Sequence, residues 1–108
     1  MAKIAGIKLC EALNRQHNCN YVSLMPTNLY GPRDNFDLTT SHVLPAMIRK
    51  FYEAKVKGNE SVGLWGTGNP KREFLHVSDM AKAIVFSIEQ RIEGSLYNVG
   101  TGQDISIR

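Results

Sequence analysis

Short apolar runs alternate with longer stretches whose apolar residues recur every three or four positions, along all 108 residues. A brief apolar run fits a strand and a 3.6-residue recurrence fits a helix packed on it. The alternation therefore predicts an α/β layered fold. Residues 1–17 read as the first helix, with Gly6, Leu9, Cys10 and Leu13 on one face and Lys8, Glu11 and Arg15 on another. No capping residue opens it, so the pattern begins in mid-helix. Asn18-Cys19-Asn20 ends it, and Tyr21 to Met25 reads as a strand closed by Pro26, which lacks a ladder donor.

From Thr27 to Thr40 the residues are loop-formers, rich in Asn, Gly, Pro and Asp. Ser41 is the expected N-cap of a second helix with Pro45 in its first turn, Val43, Met47, Phe51 and Ala54 as its apolar stripe, and Gly58-Asn59 as its stop. Val62 to Trp65 is expected to be a strand, followed by the turn 66–70, and Arg72 to Val77 a short extended segment. Ser78 is the expected N-cap of a third helix carrying Met80, Ala81, Ile84, Val85 and Ile88. Leu96 to Val99 reads as a last strand, and Ser106-Ile107-Arg108 as the opening of a helix. Both ends read as severed, so the chain is expected to be an internal piece of a longer protein.

Composition narrows the function classes. Hydrophobic content of 43% and charged content of 21% are ordinary for a globular chain. No apolar run approaches the ~20 residues of a membrane span, and no secretory leader pattern is present. The formal charge of +3 is spread over scattered Lys and Arg without interleaved aromatics, unlike a nucleic-acid platform. A small anionic metabolite fits this balance better. Cys10 and Cys19 lack metal-ligand spacing and read as reduced thiols, so neither a metal nor a disulfide is expected. Gly66-Thr67-Gly68 is no phosphate loop, because the G-x-x-x-x-G-K-[ST] pattern is missing and no helix follows. The dinucleotide fingerprint G-x-G-x-x-G is missing as well.

Three segments, in order, resemble one family. Pro26-Thr27-Asn28-Leu29-Tyr30-Gly31-Pro32 is similar to its strand-to-loop segment beside the nicotinamide. Arg72-Glu73-Phe74-Leu75-His76-Val77-Ser78-Asp79-Met80-Ala81 is similar to its substrate-domain signature, and Asn98-Val99-Gly100-Thr101-Gly102 to a later strand and loop. By this resemblance the chain is identified as a member of the extended short-chain dehydrogenase/reductases that act on nucleotide sugars. Asp34-Asn35-Phe36, Ser41-His42-Val43-Leu44-Pro45-Ala46 and Trp65-Gly66-Thr67-Gly68 resemble the branch that handles a GDP-linked 4-keto-6-deoxymannose. Ser78 departs from the acid many relatives carry there, and still suits a helix cap.

The resemblance implies part of a Rossmann-like fold with portions of a C-terminal substrate domain. Residues 1–32 would form a cofactor-side helix, strand and loop, and 33–108 mostly substrate-side and late Rossmann elements. It implies an NADP(H)-dependent enzyme of the cytoplasm, homodimeric through the helix bearing Lys3. That enzyme would epimerise C3 and C5 of GDP-4-keto-6-deoxymannose and reduce C4, giving GDP-L-fucose. In such a parent, Lys3 is the lysine of a Tyr-x-x-x-Lys pair whose tyrosine falls two places before Met1. At i, i+4 the two side chains share one helix face, and the ammonium favours the phenolate. His42 is the expected acid of the epimerisation, a role suited to imidazole, whose ordinary pKa of ~6.5 lies near working pH. The family's partner cysteine matches neither Cys10 nor Cys19.

Lys3, Pro26, Thr27, Asn28, Leu29 and His42 are the implied cofactor contacts, and Lys50, Trp65 and Arg72 the implied contacts of the GDP-sugar. A diphosphate favours paired cations with an arginine fork. Each has a plainer reading. Lys3 and Lys50 could be solvated helical lysines, Arg72 one half of an ion pair, Trp65 a core residue, His42 a helix-start histidine, and 26–29 a strand end. His17 and His76 are expected to be structural. Two alternatives stay open for the whole: another epimerase or dehydratase of nucleotide sugars, or a non-catalytic binding module. The 108 residues by themselves are expected to be inactive.

Overall fold

The computed structural model describes residues 1–64 and 66–108. Its elements run α1 (Ala2–His17), β1 (Ser23–Pro26), β2 (Asn28–Tyr30), α2 (Val43–Lys57), β3 (Lys71–Arg72), β4 (Phe74–His76), α3 (Val77–Glu89), β5 (Leu96–Val99) and β6 (Ile105–Ser106). Helices and strands mix as the sequence alternation predicts.

α1 has Met1 at its N-cap without a side-chain bond, and it ends at Asn18 in the left-handed region (φ 52). The turn back into β1 is pinned by one side chain. Asn14 accepts from the Tyr21 backbone N–H and donates to the Tyr21 carbonyl, both at 2.7 Å. Both groups of a residue just outside the ladder are thereby satisfied.

Among the described residues the strands form two-stranded pairs. β1 runs parallel to β5, β2 parallel to β4, and β3 antiparallel to β6. The first two pairs diverge at a fork. Thr27 N–H donates to the Val99 carbonyl at 3.1 Å, and the next residue, Asn28, donates its N–H to the Glu73 carbonyl at 3.1 Å. The chain passes from one pair to the other across a single peptide.

Local expectations change at several places. Within the stretch 27–40 expected to be loop, Asn28–Tyr30 forms β2, whose partners come from β4, distant in sequence. Pro26 is the last residue of β1, and Val77 opens α3. The N-cap of α2 is His42, not Ser41, because His42 is still extended (φ −71, ψ 169). The N-cap of α3 is His76, not Ser78. Its Nδ1 accepts from the Ser78 N–H at 3.2 Å, so the ring does what the serine hydroxyl was expected to do. Residues 62–64 form no strand, and Trp65 lies outside the described residues. Ile105–Ser106 pairs with Lys71–Arg72 where a helix opening was expected, so backbone groups near the C-terminal end are met by a strand. The end of α2 is as anticipated: Gly58, at φ 69, lets its N–H return to the carbonyls of Ala54 and Lys55.

Little of the apolar surface is covered. Leu75 and Ala54 are the buried hydrophobic side chains among the described residues, with Pro45 fully enclosed. On α3, Ile84, Val85, Phe86 and Ile88 are exposed, and on α2, Phe51, Tyr52 and Val56. The radius of gyration is 18.3 Å, against ~13 Å for a compact domain of this length. Parallel strands are stable when both faces are covered. These elements arrange a site more than they enclose a core.

Candidate active site

The fork between β1 and β2 opens onto a cavity of about 680 Å³, within the ~300–1,000 Å³ range of small-molecule and cofactor sites. α1 contributes Lys3, Gly6 and Ile7 from its first two turns, β1 contributes Ser23 to Pro26, and the fork contributes Thr27, Asn28 and Leu29. His42 closes the cavity from the start of α2. Lys3, Pro26, Thr27, Asn28, Leu29 and His42, all expected from sequence, are thus brought to one space. It extends along β1 to its carboxyl end, where the chain passes from the β1–β5 pair to the β2–β4 pair. Asn28 is held by a second bond, its Nδ2 to the Glu73 carbonyl at 3.0 Å. The Thr27 hydroxyl on the wall is buried and has no hydrogen-bond partner.

A second cavity of about 230 Å³ lies on the other side of the α2 N-terminus. Lys50 and Arg72 line it, with Thr39, Ser41, Val43 and Thr67 among their neighbours. Ser41 and Val43 face this cavity while His42 faces the first. The extended backbone at His42 sends successive side chains to opposite sides, which is how one short segment serves both spaces. Lys50 Nζ donates to the Gly63 carbonyl at 3.2 Å, and Arg72 Nη1 to the Lys71 carbonyl at 2.8 Å. Of the three residues expected to hold an anionic substrate, Lys50 and Arg72 share a cavity, and Trp65 lies outside the described residues.

Some contributors were not singled out from sequence. The Asp37 carboxylate accepts from the N–H and hydroxyl groups of both Thr39 and Thr40, and its carbonyl accepts from the Ser41 N–H at 2.9 Å. This network, with the Thr39 hydroxyl as its largest contributor, holds the Asp37 pKa down to about 2. It fixes the turn that delivers Ser41 and His42; Asp followed by Thr-Thr two residues on is the available sequence signal. Glu73 is the other, and it makes its contacts through tertiary structure that no local pattern announces. His76 is structural, as expected: besides capping α3, it packs edge-on against Tyr30 with ring centroids 5.2 Å apart. Cys10 and Cys19 are both free thiols. No group of three or more metal-ligating side chains occurs among the described residues, and no helix there is long and apolar enough to cross a membrane.

Residues 1–100 match the model of the NAD dependent epimerase/dehydratase family. The chain belongs to that family. It is 56% identical over 108 residues to GDP-L-fucose synthase 1 of Arabidopsis thaliana, covering the whole of this chain and 33% of that protein. It is 52% identical over 117 aligned positions to GDP-L-fucose synthase of Escherichia coli, covering 36% of it. The chain therefore spans about a third of the length of the curated relatives it matches. Among solved structures, a GDP-6-OMe-4-keto-L-xylo-heptose reductase from Campylobacter jejuni superposes with a TM-score of 0.86 at 34% identity, over 98% of this chain and 42% of that one. A GDP-L-fucose synthetase from Naegleria fowleri bound to NADP superposes at 0.77 with 29% identity, over 90% and 32%. The Rossmann-like extended short-chain dehydrogenase fold expected from sequence is the fold of the family.

Proposed function

We propose that a full-length protein carrying this chain converts GDP-4-keto-6-deoxymannose to GDP-L-fucose with NADPH, epimerising C3 and C5 and reducing C4. The observation that carries the reading is the convergence of Lys3, Pro26 to Leu29 and His42 on one cavity, beside a second that holds Lys50 and Arg72. The names of the similar proteins, GDP-L-fucose synthases at 52–56% identity, favour this chemistry over other reactions of the family.

The first cavity suits a nicotinamide. It has the volume and a cation at Lys3. Bound there, NADPH would supply the hydride that reduces the C4 ketone. Lys3 would hold the nicotinamide ribose and, one helical turn from the family's tyrosine, favour transfer of that tyrosine's proton to the C4 oxygen. The ketone acidifies the protons on C3 and C5, since the charge left behind spreads onto oxygen. His42, opposite the abstracting base, would return a proton to the other face of the carbon and invert it. Lys50 and Arg72 would pair with the diphosphate of GDP, with Trp65 as a further contact.

We place the parent in the cytoplasm as a homodimer joined through α1, on which Ile4 and Leu9 are each about 60% exposed. The test of the function is incubation of the full-length protein with NADPH and GDP-4-keto-6-deoxymannose. Stoichiometric loss of nicotinamide absorbance with formation of GDP-L-fucose is expected. Turnover of another nucleotide sugar without net loss of NADPH would assign the protein to the epimerases or dehydratases of the family instead.

A further inference from the structure

The fork between β1 and β2 is filled by one side chain. Glu73 is half-buried, in the peptide linking β3 to β4, and its Oε1 accepts from the Gly102 N–H at 2.6 Å and from the Thr101 hydroxyl at 3.2 Å. Its carbonyl accepts from both the N–H and the side-chain amide of Asn28. Gly100 passes so close that a Cβ there would run into the Glu73 carboxylate and meet the Thr27 methyl at 2.8 Å. Glu73 and Thr27 therefore both lie against Gly100, and Thr27 and Asn28 are wall residues of the larger cavity.

We infer that Glu73 is a positioning residue for the cofactor-side wall: its carboxylate, wedged in the fork, ties the 100–102 loop to the β3–β4 link and thereby sets Thr27 and Asn28. The inference rests on the proposed function for the identity of the ligand, but the wedge itself is independent of it. Where two parallel pairs part, the ladder stops supplying partners, and an unmet N–H such as that of Gly102 needs an acceptor. A carboxylate is a stronger acceptor than a neutral group and reaches two donors at once. Without it the loop can move away, and the Val99 carbonyl that holds Thr27 lies at the root of that loop.

The test uses the full-length protein with Glu73→Ala and Glu73→Gln, measuring affinity for NADPH and, separately, for GDP. Glu73→Ala is expected to weaken NADPH about tenfold while GDP, bound beside Lys50 and Arg72, stays within about twofold. Glu73→Gln keeps an acceptor oxygen and is expected to restore NADPH affinity to within about threefold of wild type. Hydrogen exchange gives a readout that needs no ligand: in Glu73→Ala, segments 26–30 and 100–103 should lose protection together. Exchange rising in 100–103 alone, unchanged NADPH affinity, or parallel loss of both ligands overturns the inference. Should Glu73→Ala fail to fold, Thr101→Val, which removes one of the two bonds, is expected to weaken NADPH about two- to threefold, and no change overturns it. A wild-type protein that binds GDP but not NADPH would defeat the cofactor reading instead, and the exchange result would still decide the role of Glu73.

Discussion

Lys3, in the first turn of α1, and His42, at the N-cap of α2, line the same cavity although the whole of β1 and β2 separates them in sequence. The fork at Thr27 produces this. By handing the chain from the β1 pair to the β2 pair, it leaves a hollow at the end of β1, with α1 on one side and the start of α2 on the other.

The two cavities predict separable defects. Arg72 lines the smaller one and makes a side-chain bond only to the adjacent Lys71 carbonyl among those described. In the full-length protein, Arg72→Ala should raise KM for the GDP-sugar about ten- to a hundredfold, the loss expected for charge-assisted bonds to phosphate. KM for NADPH should change by less than about threefold. Steady-state kinetics with each substrate varied in turn checks this, and equal rises in both would contradict separate sites.

The turn before His42 should resist acid. The Asp37 carboxyl is held at about 2, below its ordinary 3.8, by the hydroxyl and N–H groups of Thr39 and Thr40. A carboxylate whose folded pKa is depressed contributes stability above its unfolded pKa. That contribution is lost as pH falls between the two values, so the turn should hold at pH 4 and open as pH drops towards 2. A carboxyl-carbon NMR titration of Asp37 should give a midpoint near 2, and Asp37→Asn should lose the feature. A midpoint near 3.8 would mean the network is not formed in solution.

The isolated 108-residue chain should not behave as an independent domain. With Leu75 and Ala54 as the buried hydrophobic side chains among the described residues and Phe86 and Ile88 58% and 71% exposed, it has too little core to offset the entropy of ordering the chain. It should bind a hydrophobic dye, show poor NMR dispersion and melt without a cooperative transition. A sharp, reversible unfolding curve would contradict this.

The helices were legible because each carries its own signal. The apolar spacing through Leu9 and Leu13, and Gly58 as a stop, are local, and α1 and α2 lie where those signals put them. Caps were less legible. Ser41 and Ser78 are the residue types favoured at an N-cap, yet tertiary context leaves the Ser41 hydroxyl without a partner and gives the cap of α3 to the His76 ring. Strand pairing was least legible, because Ile105–Ser106 becomes a strand only through Lys71–Arg72, far away in sequence. For the site, the resemblance indicated which residues to consider. The grouping of Lys3 with His42 and of Lys50 with Arg72 depends on the fork, and so does the place of Glu73 in it.

The most direct measurement is proton exchange at the sugar carbons. In D2O, with GDP-4-keto-6-deoxymannose and NADPH, the full-length wild-type protein should place solvent deuterium at C3 and C5 of the product. His42→Asn should fold and, at NADPH concentrations that saturate the variant because His42 lines the cofactor cavity, cut that incorporation and GDP-L-fucose formation by about a hundredfold or more, the scale of a lost general acid. Deuterium incorporation and product formation at wild-type rates in His42→Asn would contradict the account.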